Sequence, residues 1–401
     1  MDTDALDAQL AWARSGAMSL TGPADGAPRP APGPLAAFAA RQVRALATAS
    51  GSDALHAVDG ALLLGERAAL AGLCRRGQVS PGGSCRLLRG ADGWLAVNLA
   101  RPDDRSLLPA WLESDPTRFR PDPWPGVEAH CAEHPVDVLV ERARLCGMPV
   151  APVAPPAKPA PAPHGVASRG PERAPPQRLR VVDLSSLWAG PLCSQLLGLA
   201  GAEVIKVESR ARPDGARFGP PAFFALLNGR KRERILDLHT REGVGELDAL
   251  LRGADVVVES ARPRALRQIG IDAEAIVAET PGLVWVSITG YGRESNAVAF
   301  GDDAACAAGL AAASGEPDAP LFCADAIADP LAGVHAARLA WETRQRGGGT
   351  LLDVALCNVT AHASDGPVEE ARVLRWGESW ALETAHGRAP VAAPRARPPA
   401  C

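Results

Sequence analysis

The sequence has 401 residues, of which 47% are hydrophobic and 22% are charged, and its formal net charge is −4. These values exclude a chain that is disordered throughout, and the length allows two or three domains with substantial cores. A slightly acidic chain offers no broad basic surface, so we expect no nucleic-acid partner.

Cysteine spacing and the amino terminus indicate the compartment. The nine cysteines are scattered singly without a Cys-x-x-Cys pair, so the pattern predicts neither a disulfide framework nor a metal site. The start of the chain lacks the basic and apolar regions of a secretory signal. No uncharged apolar run approaches the roughly 18 residues of a membrane span. We therefore expect a cytoplasmic protein without metal and without membrane association.

The amino-terminal half mixes helical and strand patterns. Residues 1–50 have helical periodicity, which predicts a helical segment. Within residues 51–150, two apolar runs at 85–89 and 94–99 surround an Asp-Gly turn at 92–93. This arrangement is typical of a β-hairpin, and helical patterns follow it. The sequence therefore predicts a small α+β domain over residues 51–150.

The second half differs in composition and in its pattern of secondary-structure signals. Residues 151–177 are rich in Pro and Ala and predict an extended linker without a core. Strand and helix signals then alternate over residues 178–365, which predicts a doubly wound, mostly parallel, Rossmann-like sheet domain. Periodicity is lost over residues 366–401, so we expect a partly disordered tail. The predicted fold class is α/β, with a smaller α+β domain.

One acidic residue stands out late in the chain, where Asp329 precedes Pro330 at the start of a predicted helix over residues 330–346. An Asp at a helix start accepts hydrogen bonds from unpaired amides, and the helix dipole favours its negative charge. The same features describe an ordinary helix cap and a fixed catalytic carboxylate. On local evidence alone, capping is the commoner use of such a residue.

Three other features have two interpretations each. Residues 180–208 form a β-α-β pattern, but the turn lacks the glycine fingerprint of dinucleotide sites, so we expect neither NAD nor FAD. Arg230 and Arg232 lie in a basic cluster that either clamps phosphate groups or forms a solvated turn. Gly82 and Gly83 either form a simple turn or expose amides to an oxyanion.

Several ordered motifs suggest a family. They are Val181-Val182-Asp183-Leu184 with Ala189-Gly190-Pro191, Gly201-Ala202-Glu203-Val204-Ile205-Lys206-Val207-Glu208, Leu227-Asn228-Gly229-Arg230-Lys231-Arg232, Ala254-Asp255-Val256-Val257-Val258-Glu259, Ser287-Ile288-Thr289-Gly290-Tyr291-Gly292 and Ile327-Ala328-Asp329-Pro330. Together they resemble the class III CoA-transferase family, which also contains α-methylacyl-CoA racemases. The amino-terminal half resembles the small domain of that family, which normally follows the nucleophile, so the order is permuted here. Residues 15–22 resemble the segment before a family nucleophile, which suggests that residues 1–50 are a degenerate large-domain piece.

The resemblance implies an enzyme that moves CoA between an acyl-CoA and a carboxylic acid, as a homodimer that uses CoA as a substrate and holds no bound cofactor. It implies that Asp329 is the nucleophile, that Gly82 and Gly83 form the glycine loop, and that Asp303 belongs to the catalytic group. The residues that the resemblance assigns to CoA are Trp188, Ala189, Arg210, Leu236, Asp237, Ser260, Ala261, Arg262, Arg230 and Arg232.

Two alternatives remain open from the sequence. A racemase needs an acid and a base on opposite sides of the α-carbon, and the His of the family is replaced here by Asp302. A non-catalytic CoA-binding or partner protein would account for the permuted order and for the altered CoA contacts.

Overall fold

The computed structural model of this protein describes residues 8–398. Its strands are β1 (Cys85–Arg89), β2 (Trp94–Asn98), β3 (Val150–Pro152), β4 (Gly165–Arg169), β5 (Arg180–Asp183), β6 (Glu203–Ser209), β7 (Arg232–Leu236), β8 (Val256–Glu259), β9 (Val284–Thr289), β10 (Thr350–Ala355), β11 (Arg372–Trp376), β12 (Ser379–Thr384) and β13 (Gly387–Pro390). Its helices are α1 (Ala8–Ser15), α2 (Leu35–Ser50), α3 (Asp53–His56), α4 (Glu66–Ala71), α5 (Pro102–Trp111), α6 (Trp124–Ala132), α7 (Val136–Cys146), α8 (Ala189–Leu199), α9 (Pro221–Asn228), α10 (Arg241–Arg252), α11 (Pro263–Gln268), α12 (Ala273–Glu279), α13 (Gly301–Ala307), α14 (Leu310–Ser314), α15 (Ala328–Gln345) and α16 (Leu356–Ser364).

A seven-stranded sheet forms the centre of the protein, in the order β4-β10-β9-β8-β5-β6-β7. All neighbouring strands in it are parallel except β4, which pairs antiparallel with β10. Counted along the chain, the six parallel strands have the order 3-2-1-4-5-6, which is that of dinucleotide-binding sheets. The structure therefore confirms an α/β chain with a large, mostly parallel sheet.

Runs of β-branched residues place this sheet between two helical layers. Val181, Val256 and Val258 point into a hydrophobic cluster that also contains side chains of α8 and α15. Their neighbours Val182 and Val257 point into a second cluster with side chains of α10 and α12. Alternate residues of a strand face opposite sides, so valine runs of this kind are buried on both faces of a parallel sheet.

The amino-terminal segment packs onto this sheet domain. Leu35, Val43 and Leu46 of α2 lie in the same cluster as α15, and Trp341 of α15 donates from Nε1 to the Ala49 carbonyl. Leu63 also belongs to that cluster, although we predicted it in the small domain. The large core therefore extends past the predicted boundary at residue 50, because periodicity identifies the apolar face of a helix without identifying its partner.

The predicted hairpin is confirmed, because β1 and β2 pair antiparallel around the 92–93 turn. β3 joins β2 on its other side and completes a three-stranded sheet. A separate hydrophobic cluster from Leu88 to Val150 packs this sheet against α5, α6 and α7. The small domain therefore has its own core.

The linker and the tail differ from expectation. β4 lies within the predicted linker and extends the large sheet. The predicted disordered tail is wrong over residues 372–390, which form the antiparallel sheet β11-β12-β13. Farther on, Arg397 donates from Nη2 to Glu66 and Gln195. Contacts with distant parts of the chain order both segments, and local composition does not reveal such contacts. Residues 1–7 and 399–401 of the predicted end segments lie outside the described residues.

Within residues 8–398, no helix has both the length and the apolar character that crossing a membrane requires.

Candidate active site

A small cavity lies where the strand order of the large sheet reverses, between the carboxyl ends of β5 and β8. Open α/β sheets bind ligands at such a switch point. The cavity measures about 120 Å³. Its lining consists of Ser186, Leu187, Ala189, Ser260, Ala261, Arg262, Ile288, Thr289, Gly290, Ser295, Ala297, Val298, Ala299, Phe300, Asp329 and Leu356. It therefore brings Asp329 together with four residues that the resemblance assigned to CoA.

Asp329 is the second residue of α15 and is not its cap. The helix begins at Ala328, its cap position is Ile327, and no side chain there makes a capping hydrogen bond. The amide of Asp329 itself donates to the Ala326 carbonyl at 3.0 Å. The simple capping interpretation of Asp329 is therefore wrong, and Asp329 instead lines the cavity.

The backbone before α15 adopts an unusual conformation. Ala324 and Ala326 have positive φ values of 56° and 42°, and Leu187 in the cavity wall has a φ of 71°. Residues other than glycine rarely adopt this region, at a cost of order 1–3 kcal/mol each, and such residues concentrate at functional sites. The two alanines surround Asp325, so this strained loop fixes where two carboxylates lie relative to each other.

Burial raises the pKa of Asp329 to about 7, while Arg67 lowers it and Asp302 and Asp325 raise it further. Gly301 approaches this carboxylate closely, because a Cβ atom at that position would lie 2.4 Å from Asp329 Oδ2. A glycine is therefore required where α13 begins, so that the backbone can reach the carboxylate.

Two more carboxylates are buried beside Asp329. Asp325 is fully buried and accepts from Arg67 Nε at 2.8 Å and from Arg67 Nη2. Asp302 accepts from the Ala326 amide at 2.9 Å. Burial, and then the nearby Asp325 charge, raise the pKa of Asp302 to about 6. One guanidinium therefore stands among three acidic groups.

Asp303 connects the two domains. It is fully buried and accepts from Asn98 Nδ2 of β2 at 2.9 Å and from the Phe300 amide at 3.1 Å. Burial raises the pKa of Asp303 to about 7, against the lowering effect of the Asn98 hydrogen bond. The carboxyl group can therefore gain or lose a proton near neutral pH.

The two glycines of the amino-terminal loop differ in their contacts. A Cβ atom at Gly82 would lie 3.2 Å from Arg67 Nη2 and 3.8 Å from Asp325 Oδ1, so this glycine lies beside the carboxylate cluster. Gly83 has a φ of 83° and donates its amide to the Ser80 carbonyl at 2.8 Å. Because that amide is engaged in a turn, Gly82 is the stronger candidate of the pair for an oxyanion donor.

Buried ion pairs hold the turn after β5 at the edge of the cavity. Asp183 accepts from Ser194 Oγ at 2.6 Å and from Lys231 Nζ at 2.8 Å. Lys206 Nζ donates to the Ser185 carbonyl and pairs with Asp214 Oδ2, both at 2.9 Å. These contacts fix the backbone that leads to the cavity wall.

The remaining residues assigned to CoA lie in other places. Trp188 is buried, edge-on to Phe223 with ring centroids 5.4 Å apart. The Arg210 amide donates to the Leu236 carbonyl at 2.8 Å, and Asp237 accepts from the His239 amide at 3.1 Å, at the carboxyl ends of β6 and β7.

The two arginines of the basic cluster line a second, larger cavity. Arg230 and Arg232 line a space of about 820 Å³ that is bounded by α8 and α9. Arg232 also pairs with Glu203 at 2.7 Å. The structure therefore does not bring these arginines into the cavity that contains Asp329.

Sequence reasoning gave no role to Arg67, Asp325, Asn98 or Lys206. A lysine at a central position of an apolar strand was a usable signal for Lys206, since a charge there needs a buried partner. Arg67 and Asn98 carried no such signal, because each meets its partner more than 200 residues away along the chain.

Comparison with known proteins identifies the family of this chain. Residues 177–392, just over half of the chain, match CoA-transferase family III. The chain therefore belongs to CoA-transferase family III. It is 34% identical over 211 residues to a succinate–glutarate CoA-transferase of Agrobacterium fabrum, covering 47% of this chain and 53% of that protein. It is 33% identical over 193 residues to a succinyl-CoA–D-citramalate CoA-transferase of Chloroflexus aurantiacus, covering 44% of this chain and 48% of that protein.

A formyl-CoA:oxalate CoA-transferase of Escherichia coli is 34% identical over 172 residues, covering 40% of this chain and 41% of that enzyme. The chain thus spans about half the length of the curated relatives that it matches. A crystal structure of a CaiB/BaiF family protein from Brucella suis is 27% identical, with a TM-score of 0.43, covering 54% of this chain and 65% of that one. A crystal structure of a hypothetical protein from Mycobacterium tuberculosis is 26% identical, with a TM-score of 0.46. The match covers 53% of this chain and 66% of that one.

Proposed function

We propose that the protein transfers CoA from an acyl-CoA to a carboxylic acid, with Asp329 as the nucleophile. The observation that carries this proposal is the position of Asp329 in a cavity at the switch point of the sheet, beside Ser260, Ala261 and Arg262. A carboxylate attacks a thioester only when it is held in place and accessible. Asp329 meets both conditions, since the strained loop and Gly301 fix it and the cavity exposes it.

The proposed reaction uses acyl transfer alone. The Asp329 carboxylate attacks the thioester carbonyl of the donor, the carbon–sulfur bond breaks, and CoA leaves as a thiolate. The thiolate attacks the Asp329 carbonyl of the resulting anhydride and releases the donor acid, which leaves an aspartyl-CoA thioester. The acceptor carboxylate then attacks this thioester and releases the thiolate again. Attack of the thiolate on the acceptor carbonyl forms the new acyl-CoA and restores the Asp329 carboxylate.

Each tetrahedral intermediate carries a negative oxygen that needs hydrogen-bond donors. The Gly82 amide region is the proposed donor, because Gly82 lies beside the carboxylate cluster. Asp303 is assigned to positioning the cavity wall, since it accepts from the amide of Phe300 at 3.1 Å and Phe300 lines the cavity. We assign Ala189, Ser260, Ala261 and Arg262 to the part of CoA nearest the thioester.

The relatives named above act on succinate, glutarate, D-citramalate or oxalate, which are dicarboxylic acids. We therefore take the same class of acids as the acceptors to be tested. As in the family that the sequence resembles, the active form is proposed to be a homodimer, with CoA as a substrate rather than a resident cofactor.

The test is a transfer assay with succinyl-CoA as donor and glutarate or oxalate as acceptor, followed by separation of the CoA esters. The wild-type protein should form the acceptor ester, and Asp329→Asn should not, although both proteins unfold at similar temperatures. Equal turnover by Asp329→Asn would remove Asp329 from the mechanism.

A further inference from the structure

The surroundings of Asp329 include one cation that comes from outside the family-matched region. Arg67 is the second residue of α4, whereas the match covers residues 177–392. Its guanidinium donates from Nε and Nη2 to both oxygens of the buried Asp325. This fork-to-fork geometry is the strongest arrangement that an arginine makes with a carboxylate, and it fixes the plane of the guanidinium.

Two further contacts hold the guanidinium in this position. Its central carbon lies 5.7 Å from the centroid of the Trp188 ring, within the range of a cation–π contact. A Cβ atom at Gly82 would lie 3.2 Å from Nη2, so a larger residue there would press on the arginine. The guanidinium of Arg67 therefore contacts Asp325, the turn after β5 and the amino-terminal glycine loop, while 29% of the side chain is exposed.

Three charged groups cluster around Asp329. Asp302 follows Gly301, whose backbone reaches Asp329 Oδ2. Asp325 precedes Ala326, whose carbonyl accepts from the Asp329 amide. Arg67 of α4 pairs with Asp325 and is the cation of this cluster. Asp302 and Asp325 are like charges, which disfavour the ionised form of a neighbouring carboxyl group. Arg67 is the opposite charge in this set. A neutral Asp329 cannot attack a thioester, so the state of this residue depends on how far the cation offsets the two anions.

We infer that Arg67 is a positioning residue for the proposed reaction: Asp325 holds it within the carboxylate cluster, and its positive charge favours the ionised form of Asp329, which is the nucleophile. The catalytic relevance of this inference rests on the proposed function. The electrostatic relationship itself is a property of the resting protein, and it can be measured without turnover. Burial raises the pKa of Asp329 to about 7, so a modest change in the local field alters its charge at neutral pH.

The test follows the carboxyl carbons of the protein by NMR after labelling aspartate with ¹³C at Cγ. The resonance missing in Asp329→Asn identifies Asp329, and its titration midpoint is measured in the wild type and in variants. Arg67→Met removes the cation and should raise the midpoint by about one pH unit, the scale of one nearby charge. Asp325→Asn removes one anion and frees Arg67, and it should lower the midpoint. Arg67→Lys keeps the charge and should stay near the wild type.

Opposite shifts are a signature that a purely structural ion pair does not produce. An unchanged midpoint in folded Arg67→Met, or shifts of the same sign in Arg67→Met and Asp325→Asn, would overturn the inference. If Arg67→Met fails to fold, the Asp325→Asn midpoint still decides, because an unchanged or raised value contradicts the proposed field. Absent transfer activity in the wild type would reject the proposed function while leaving these midpoints as predicted, so the two failures are distinguishable.

Discussion

Asn98 of the small domain donates from Nδ2 to Asp303 Oδ1 of the large domain over 2.9 Å, although 205 positions separate the two residues. Both side chains are buried. The contact connects the hairpin to α13, whose first residue touches Asp329. It therefore links the amino-terminal half of the chain to the candidate active site.

Replacement of Asn98 by Ala tests this link. The change removes the side-chain donor of a buried carboxyl group and leaves it only the Phe300 amide, so we expect a loss of about 1–3 kcal/mol in the free energy of unfolding. The pKa of Asp303 should rise further, because a hydrogen bond to the charged form is lost. Urea unfolding measures the first effect, with the exposed Asn296→Ala as the matched control. Equal stability of the two variants would show that the contact does not hold the domains together.

The sequence was informative wherever a pattern was local. The valine runs around Val182 and Val257 specified the buried strands, and the 92–93 turn specified the hairpin. The carboxylate position in α15 was also visible, because Asp329 and Pro330 mark a helix start in any context.

Contacts between distant residues were not visible. Arg67 meets Asp325 across 258 positions, and no local feature of either segment indicates that pairing. The segments around β4 and β11 looked like a linker and a tail, because their order depends on pairing with β10 and β12. Local composition reflects the intrinsic structural preference of a segment, whereas these segments adopt strands because they pair with other strands of the protein.

Removing one partner of the buried ion pair of Lys231 and Asp183 should strongly destabilise the protein. Lys231→Met removes the cation and leaves Asp183 buried without its partner, which costs roughly 3–5 kcal/mol in comparable cases. The neighbouring Arg232→Met is the control, because Arg232 is 77% exposed and its pair with Glu203 is solvated. Thermal unfolding at neutral pH should show a large decrease for the first variant alone. Similar melting temperatures for both variants would contradict this assignment.

Asp302 should make stability depend on pH in a defined direction. Its pKa is raised from 3.8 to about 6, so the folded state binds more protons than the unfolded state within that window. The free energy of unfolding therefore decreases as the pH rises from about 4 to about 6. Asp302→Asn keeps an acceptor for the Ala326 amide but cannot ionise. Relative to the wild type, it should gain roughly 2 kcal/mol between pH 4 and pH 7. Denaturant titrations at several pH values measure the difference, with the exposed Asp103→Asn as the surface control.

Transfer and racemisation are separated by the α-proton of a 2-methylacyl-CoA. Racemisation requires that proton to leave, whereas CoA transfer does not. Asp302, which the resemblance aligns with the His of the family, is buried and accepts from the Ala326 amide, so we expect no exchange in deuterated water. Proton NMR of the recovered thioester measures the exchange. Rapid deuterium uptake with inversion would favour the racemase instead.

The nucleophile assignment is tested most directly by following oxygen atoms. In the proposed mechanism, the bond that breaks in the second anhydride leaves one acceptor oxygen on the aspartate. Turnover with ¹⁸O-carboxylate-labelled acceptor should therefore place ¹⁸O in Asp329, and fragmentation mass spectrometry should distinguish it from Asp325 in the same peptide. Transfer of CoA with ¹⁸O absent from Asp329, or with the label in another carboxylate, would contradict the central claim.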